Sequence, residues 1–168
     1  QGVRFQDVDY SQYDMVITNP PFYLFGEFID LMISTRRKFL IIGPLTGLTY
    51  KNVLKYIQSG LLWLGYAKQL TGFARPDGSR LLSKDIEGST ARASKWYTNL
   101  DVSYRHDRLI LTDSYKEHPE RFPKYLNYDA IHVPRCENIP FDYEGVMGVP
   151  TTFISKYNPA SARWRHRQ

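Results

Sequence analysis

The chain is short of the residues that would supply several common chemistries. A single cysteine, Cys136, excludes an internal disulfide and a cysteine-rich zinc site. It points instead to a reducing, cytoplasmic setting. The four histidines, His106, His118, His132 and His166, show no metal-ligand spacing, so surface or loop positions and no metal are expected. No apolar run approaches the roughly 20 residues of a membrane span. Residues 39–48 come closest, but Pro44 and two glycines interrupt them, and no membrane partner is expected. Gly-x-Gly is absent as well. Gly43, Gly47, Gly60, Gly65, Gly72 and Gly78 are scattered among turns, and none builds a glycine-rich strand–turn–helix.

What is present is ordinary for a globular protein. The 168 residues suffice for one domain with a sizeable core. The composition, 42% hydrophobic and 23% charged, excludes a disordered chain. Basic residues outnumber acidic ones 22 to 17, for a net charge of +5. That excess suits a polyanionic partner, and a solvated lysine-rich surface explains it about as well.

The most informative stretch is Asp-Met-Val-Ile-Thr-Asn-Pro-Pro-Phe over residues 14–22. Met15 to Ile17 form a short apolar, β-branched run of the kind that makes a buried parallel strand. It breaks at Asn19-Pro20-Pro21, where two prolines remove two donors, fix two φ angles and hold the preceding residues extended. The product is a stiff segment at the carboxyl end of a strand, where open α/β sheets bind ligands. Asn19 offers one acceptor and two donors, and the prolines leave carbonyls outside any regular ladder. Two rigid acceptors suit a planar amine with two hydrogens. Phe22 adds a face on which a planar base could stack, an interaction worth roughly 1–3 kcal/mol per base. The exocyclic amine of adenine meets both requirements. A strand that merely ends in a Pro-Pro turn is the competing reading.

The surrounding pattern alternates strand and helix. Strand 15–18 leads to an amphipathic helix over 25–36, with Phe28, Ile29, Met32 and Ile33 at helical spacing and basic residues at its end. A buried strand over 39–42 stops at Gly43-Pro44. Thr49 is expected to cap a helix through Gln58, with Val53, Leu54 and Ile57 inward and Gly60 beyond its end. This order reads as the second half of a doubly wound sheet. Residues 61–73 read as one or two strands, 75–80 as a turn, and 95–100 and 128–133 as further strands. Between the last two lies a charged insertion, 101–124, of a length that is uncommon inside a compact domain unless it has a task or is disordered.

Asn19-Pro20-Pro21-Phe22 matches the Asn-Pro-Pro-Tyr/Phe motif of amino-group methyltransferases. Further segments follow in order: Lys-Phe-Leu-Ile-Ile-Gly at 38–43, Thr-Tyr-Lys at 49–51, Trp-Leu-Gly at 63–65 and Lys-Trp-Tyr-Thr-Asn-Leu at 95–100. After them come Asn-Tyr-Asp-Ala-Ile at 127–131, Asp-Tyr-Glu-Gly-Val-Met-Gly-Val-Pro at 142–150 and Lys-Tyr-Asn-Pro at 156–159. From about Tyr13 to Pro159 the chain resembles the EcoRI-type adenine-specific DNA methyltransferases of restriction–modification systems and phages.

The resemblance implies a partial Rossmann-like, S-adenosylmethionine-dependent methyltransferase fold of the α/β class, a mixed sheet with later strands and long loops. Asn19 and the Pro20 carbonyl would accept hydrogen bonds from the target amine, Pro21 would lock the turn, and Phe22 would stack on a flipped adenine. S-adenosylmethionine would supply the methyl group. The missing Gly-x-Gly leads us to expect a carboxyl-terminal portion: residues 1–159 as the substrate side of the catalytic domain and 160–168 as a basic tail. The amino-terminal cofactor-binding part would be missing, supplied by another segment or a partner chain. Asp7 and Asp9 lie only roughly where a cofactor contact could arise, and no residue is assigned to that role. Double-stranded DNA is the expected partner, with Arg75, Arg80, Lys84, Arg92 and Lys95, beside Trp96 and Tyr97, forming a loop that faces the duplex. Two other readings stay open. One is an RNA-adenine or protein-glutamine methyltransferase, and the other is an inactive or split nucleic-acid-binding fragment.

Overall fold

The computed structural model describes residues 3–66, 72–82 and 94–158. Two compact units divide the chain, Gln1–Val102 and Ser103–Gln168. The fold is mixed α/β.

The first unit contains β1 (Met15–Thr18), α1 (Phe25–Thr35), β2 (Lys38–Pro44), α2 (Lys51–Gln58) and β3 (Trp63–Leu64). A hairpin of β4 (Gly72–Ala74) and β5 (Arg80–Leu82) follows, and then β6 (Ser94–Thr98). Among the described residues the main sheet has the order β1-β2-β6-β3, and the hairpin is a separate two-stranded sheet. β1 runs parallel to β2, as the strand–helix–strand pattern predicts, whereas β6 is antiparallel to both β2 and β3.

Helix α1 covers one face of this sheet with Phe25, Phe28, Ile29 and Met32, which recur at helical spacing and are all buried. Arg36 stops it in the left-handed region at φ 55°, and Lys38 opens β2 two residues later. Phe39 and Ile41 of β2 point into the core. The strand's start is closed by a side chain. Asn99 Oδ1 accepts from the Phe39 amide at 2.9 Å, and its Nδ2 donates to the Arg37 carbonyl at 2.8 Å.

Two local expectations fail. β1 is an edge strand, not a buried one: Ile17 is 65% and Met15 39% exposed. Both lie on one face of a strand whose neighbour, among the described residues, is β2 alone. Thr49 does not cap α2. It ends a 3-10 turn, Leu45–Thr49, and its hydroxyl donates back to the Thr46 carbonyl at 2.7 Å, leaving Tyr50 at the cap position. Beyond α2, Gly60 adopts the positive φ expected after a helix end.

The second unit has little regular structure. A small sheet joins β7 (Lys124–Tyr125), β8 (Tyr128–His132) and β9 (Met147–Gly148). Its core gathers Phe122, Ile131, Val133, Cys136, Ile139 and Phe153. The long insertion is not left loose. Leu109, Leu111 and Tyr115 pack on that core. The Asp142 carboxylate accepts from Ser114 Oγ at 2.6 Å and from the amides of Tyr115 and Lys116 at 2.7 and 3.1 Å. Asp113 in turn receives Asn138 Nδ2 at 2.9 Å and the Arg121 guanidinium at 3.2 Å. Among the described residues no helix is long and apolar enough to cross a membrane.

Candidate active site at the carboxyl end of the first strand

β1 ends at Thr18, level with Ile41, while β2 continues in parallel to Pro44. The motif therefore leaves the sheet at its carboxyl edge, beside the turn Leu45–Thr49 that follows β2. Asn19 is exposed, Pro20 buried, Pro21 exposed and Phe22 half-buried. Pro21, at φ −58° and ψ 124°, leads into a 3-10 turn over Phe22–Leu24. That turn uses two carbonyls: Pro21 accepts from the Leu24 amide at 3.0 Å, and Phe22 accepts from the Phe25 amide. Among the described residues no turn bond engages the Pro20 carbonyl and no side-chain bond engages the Asn19 side-chain amide. Two acceptors and a partly exposed ring thus sit together on a rigid segment. That arrangement can bind a planar amine and stack its ring.

Behind the motif lies a buried aromatic pair that pattern reading misses. Phe25, fully buried, meets Tyr97 with ring centroids 4.8 Å apart. Tyr97 donates its hydroxyl to the Pro44 carbonyl at 2.7 Å. Burial pushes that phenol well above its ordinary pKa, with Tyr50 adding to the shift, so it stays a donor at any physiological pH. Gly43 and Gly47 bracket Pro44 and face the Phe25 ring. Two glycines four residues apart at a strand end are the one sequence signal that could disclose this seat.

The cationic residues proposed for DNA do not form one loop. Lys95 belongs to β6, opposite Gly43, and so stands at the motif's end of the sheet. Trp96 and Tyr97 are also strand residues, and Tyr97 faces the core, not solvent. Arg75 and Arg80 are exposed and flank the β4–β5 turn, where Asp77 accepts from the Ser79 amide and Gly78 takes φ 82°. Lys84 and Arg92 lie outside the described residues, as does the basic tail.

Both early carboxylates are exposed and hydrogen-bonded locally. Asp7 pairs with Arg4 at 3.2 Å. Asp9 accepts from Ser11 Oγ and the Ser11 amide at 2.6 and 2.9 Å and from Gln12 Nε2 at 3.0 Å. Those bonds, Ser11's first, hold its carboxyl down to about 2.

The family model described as adenine-specific methyltransferase EcoRI matches residues 8–163. The chain belongs to the EcoRI-type adenine-specific DNA methyltransferase family. The Type II methyltransferase M.EcoRI of Escherichia coli is 43% identical over 155 residues, covering 87% of this chain and 48% of the relative. M.MgeORF184P of Mycoplasma genitalium is 35% identical over 159 residues, 89% of this chain and 50% of the relative. M.MpnI of Mycoplasma pneumoniae is 31% identical, again over half its length. This member of the EcoRI-type family thus spans about half the length of the curated relatives it matches. No solved structure matches it.

Proposed function

We propose that the chain carries the substrate side of a DNA adenine methyltransferase, built on a Rossmann-like fold and acting on the 6-amino group of a flipped adenine. One observation carries the reading: among the described residues no turn or side-chain bond takes up the Pro20 carbonyl or the Asn19 side-chain amide, at the carboxyl end of a parallel strand, next to Phe22. S-adenosylmethionine, when bound, supplies the methyl group. The chain's own part is to receive the amine. Asn19 and Pro20 accept its two hydrogens, and their bonds tighten as the nitrogen gains positive character, which favours the transition state over the ground state. No ionised base is needed. Phe22 offsets part of the few kcal/mol required to unstack the base.

The described residues do not fit the cofactor equally well. They include no Gly-x-Gly, and the exposed Asp7 and Asp9 bond locally to Arg4 and to Ser11 and Gln12. With half of each relative's length lying outside the match, we propose that cofactor contacts come from another segment or a partner chain. Double-stranded DNA is the proposed polymer, with Lys95, Arg75, Arg80, Lys84 and Arg92 meeting phosphates, and the cytoplasm the proposed setting.

The test is Asn19→Ala in a full-length enzyme containing this chain, assayed with labelled cofactor on duplex DNA, structured RNA and a glutamine peptide. Methyl transfer to DNA should fall about 10²–10³-fold with DNA affinity nearly kept. Transfer by the parent enzyme only to RNA or peptide, or near-normal turnover by the variant, would refute the proposal. In the same assay, replacing Arg75 and Arg80 should lower the salt slope of DNA binding by about one for each phosphate that an arginine neutralises. An unchanged slope removes them from the interface.

A further inference from the structure

Of the motif's two acceptors Asn19 is exposed and Pro20 buried, and what packs behind the turn fixes the direction of both. We infer that Phe25 is a positioning residue for the Asn19–Phe22 turn, seated through the two glycines Gly43 and Gly47; the inference rests on the proposed amine site. The seat is made by absence of side chains. A Cβ on Gly43 would fall within the Phe25 ring, and one on Gly47 would come within 2.8 Å of Phe25 Cε1 and 3.2 Å of the Tyr97 hydroxyl. The slot therefore admits the ring only while both positions are glycine.

The slot's walls are themselves fixed. Tyr97 is tied to the Pro44 carbonyl, between the two glycines, at 2.7 Å. On the far side of the ring's own residue, the Gly26 carbonyl accepts from Asn52 Nδ2 at 3.0 Å. Asn52 also donates to Asp30, as Tyr56 does at 2.9 Å, so α2 grips the first two turns of α1. Phe25 and Gly26 are thereby held from two directions. Only three residues separate Phe25 from Pro21, and the turn bonds of Pro21 and Phe22 stiffen them. A shift of the ring is passed to Pro20 and Asn19 with little slack. Misplacement near 1 Å of groups that orient a reacting atom lowers turnover about 10²-fold.

Ordinary core packing predicts lost stability alone, so the experiment must separate the two. Phe25→Leu, Gly43→Ala and the double variant are made in the full-length enzyme. Measurements are kcat and KM for duplex DNA at saturating cofactor, together with amide exchange over residues 19–26 and over β2 and β6. The expected result for each single variant is faster exchange over 19–26 with the strands still protected, and kcat down about tenfold or more at nearly constant KM. The double variant, in which leucine vacates the space that the new methyl fills, should regain part of both. Should Gly43→Ala unfold the strands as well, Phe25→Leu alone decides the matter. Unchanged kcat in folded Phe25→Leu, or a kcat loss no greater than its loss of folded protein, overturns the positioning role. If the parent enzyme methylates no polymer, the proposed function fails instead, and the exchange pattern still decides whether Phe25 fixes the turn.

Discussion

The two units reach order by opposite means. In Gln1–Val102 backbone ladders do the holding: β2 is paired along both edges, and side chains such as Asn99 and Thr98 add bonds where the ladder stops. In Ser103–Gln168 the described strands are two to five residues long, and two carboxylates tie irregular segments together, Asp142 through Ser114 and the amides of Tyr115 and Lys116 and Asp113 through the side chains of Asn138 and Arg121. A ladder spreads its bonds over many residues, whereas a carboxylate concentrates them in one. The candidate site stands on the first kind of support, which suits a geometry that must hold to fractions of an ångström.

The strongest challenge to this contrast is the same truncation in each unit. Phe39→Ala and Phe122→Ala each remove a buried ring and should each destabilise by about 3–5 kcal/mol. Their exchange footprints should differ. The first should deprotect β1, β2 and β6 together, and the second should free residues 109–117 along with β8. Identical footprints would erase the distinction.

A gentler probe is acid. The Asp142 carboxyl is held below its ordinary 3.8, by the Ser114 hydroxyl first and then the Tyr115 and Lys116 amides. Its stabilising effect is therefore full above that ordinary value and is lost as pH falls through the lower, folded one. Amides of residues 115–117 should exchange faster, relative to β2, below about pH 4. In Asp142→Asn they should be fast already, with no further pH step. A step that survives in the variant would remove Asp142 as the cause.

The smallest expected effect has the opposite sign. Arg36 is the one described non-glycine residue with positive φ. Arg36→Gly should raise stability by up to about 1 kcal/mol, seen as a higher melting temperature. A lower one would show that the arginine side chain contributes more than its backbone strain removes.

Much of the first unit is legible because its signals are local. The Asn19–Phe22 turn, the inward face of α1, the Gly60 helix end and the turn at Asp77-Gly78 all depend on residues close in sequence. The exposure of β1 is hidden because an apolar strand reads the same whether or not a neighbour covers it. Residues 95–100 read as a strand, but its antiparallel partner is hidden, since the return to β2 spans about fifty residues, beyond any spacing rule. Phe25 looks like one more core residue of α1, and only its approach to Gly43 and Gly47, far along the chain, marks it out. The insertion at 101–124 offers no periodicity to read, since Asp142, which orders part of it, follows it in sequence.

The half-open state of β1 has a practical consequence. Among the described residues this strand keeps one rail of peptide groups outside the sheet and a projecting isoleucine, a template for any extended chain that meets it. Prepared alone, this polypeptide should behave as a concentration-limited reagent, monodisperse when dilute and self-associating when crowded. Purification tags and storage conditions for it are best chosen with that edge in mind.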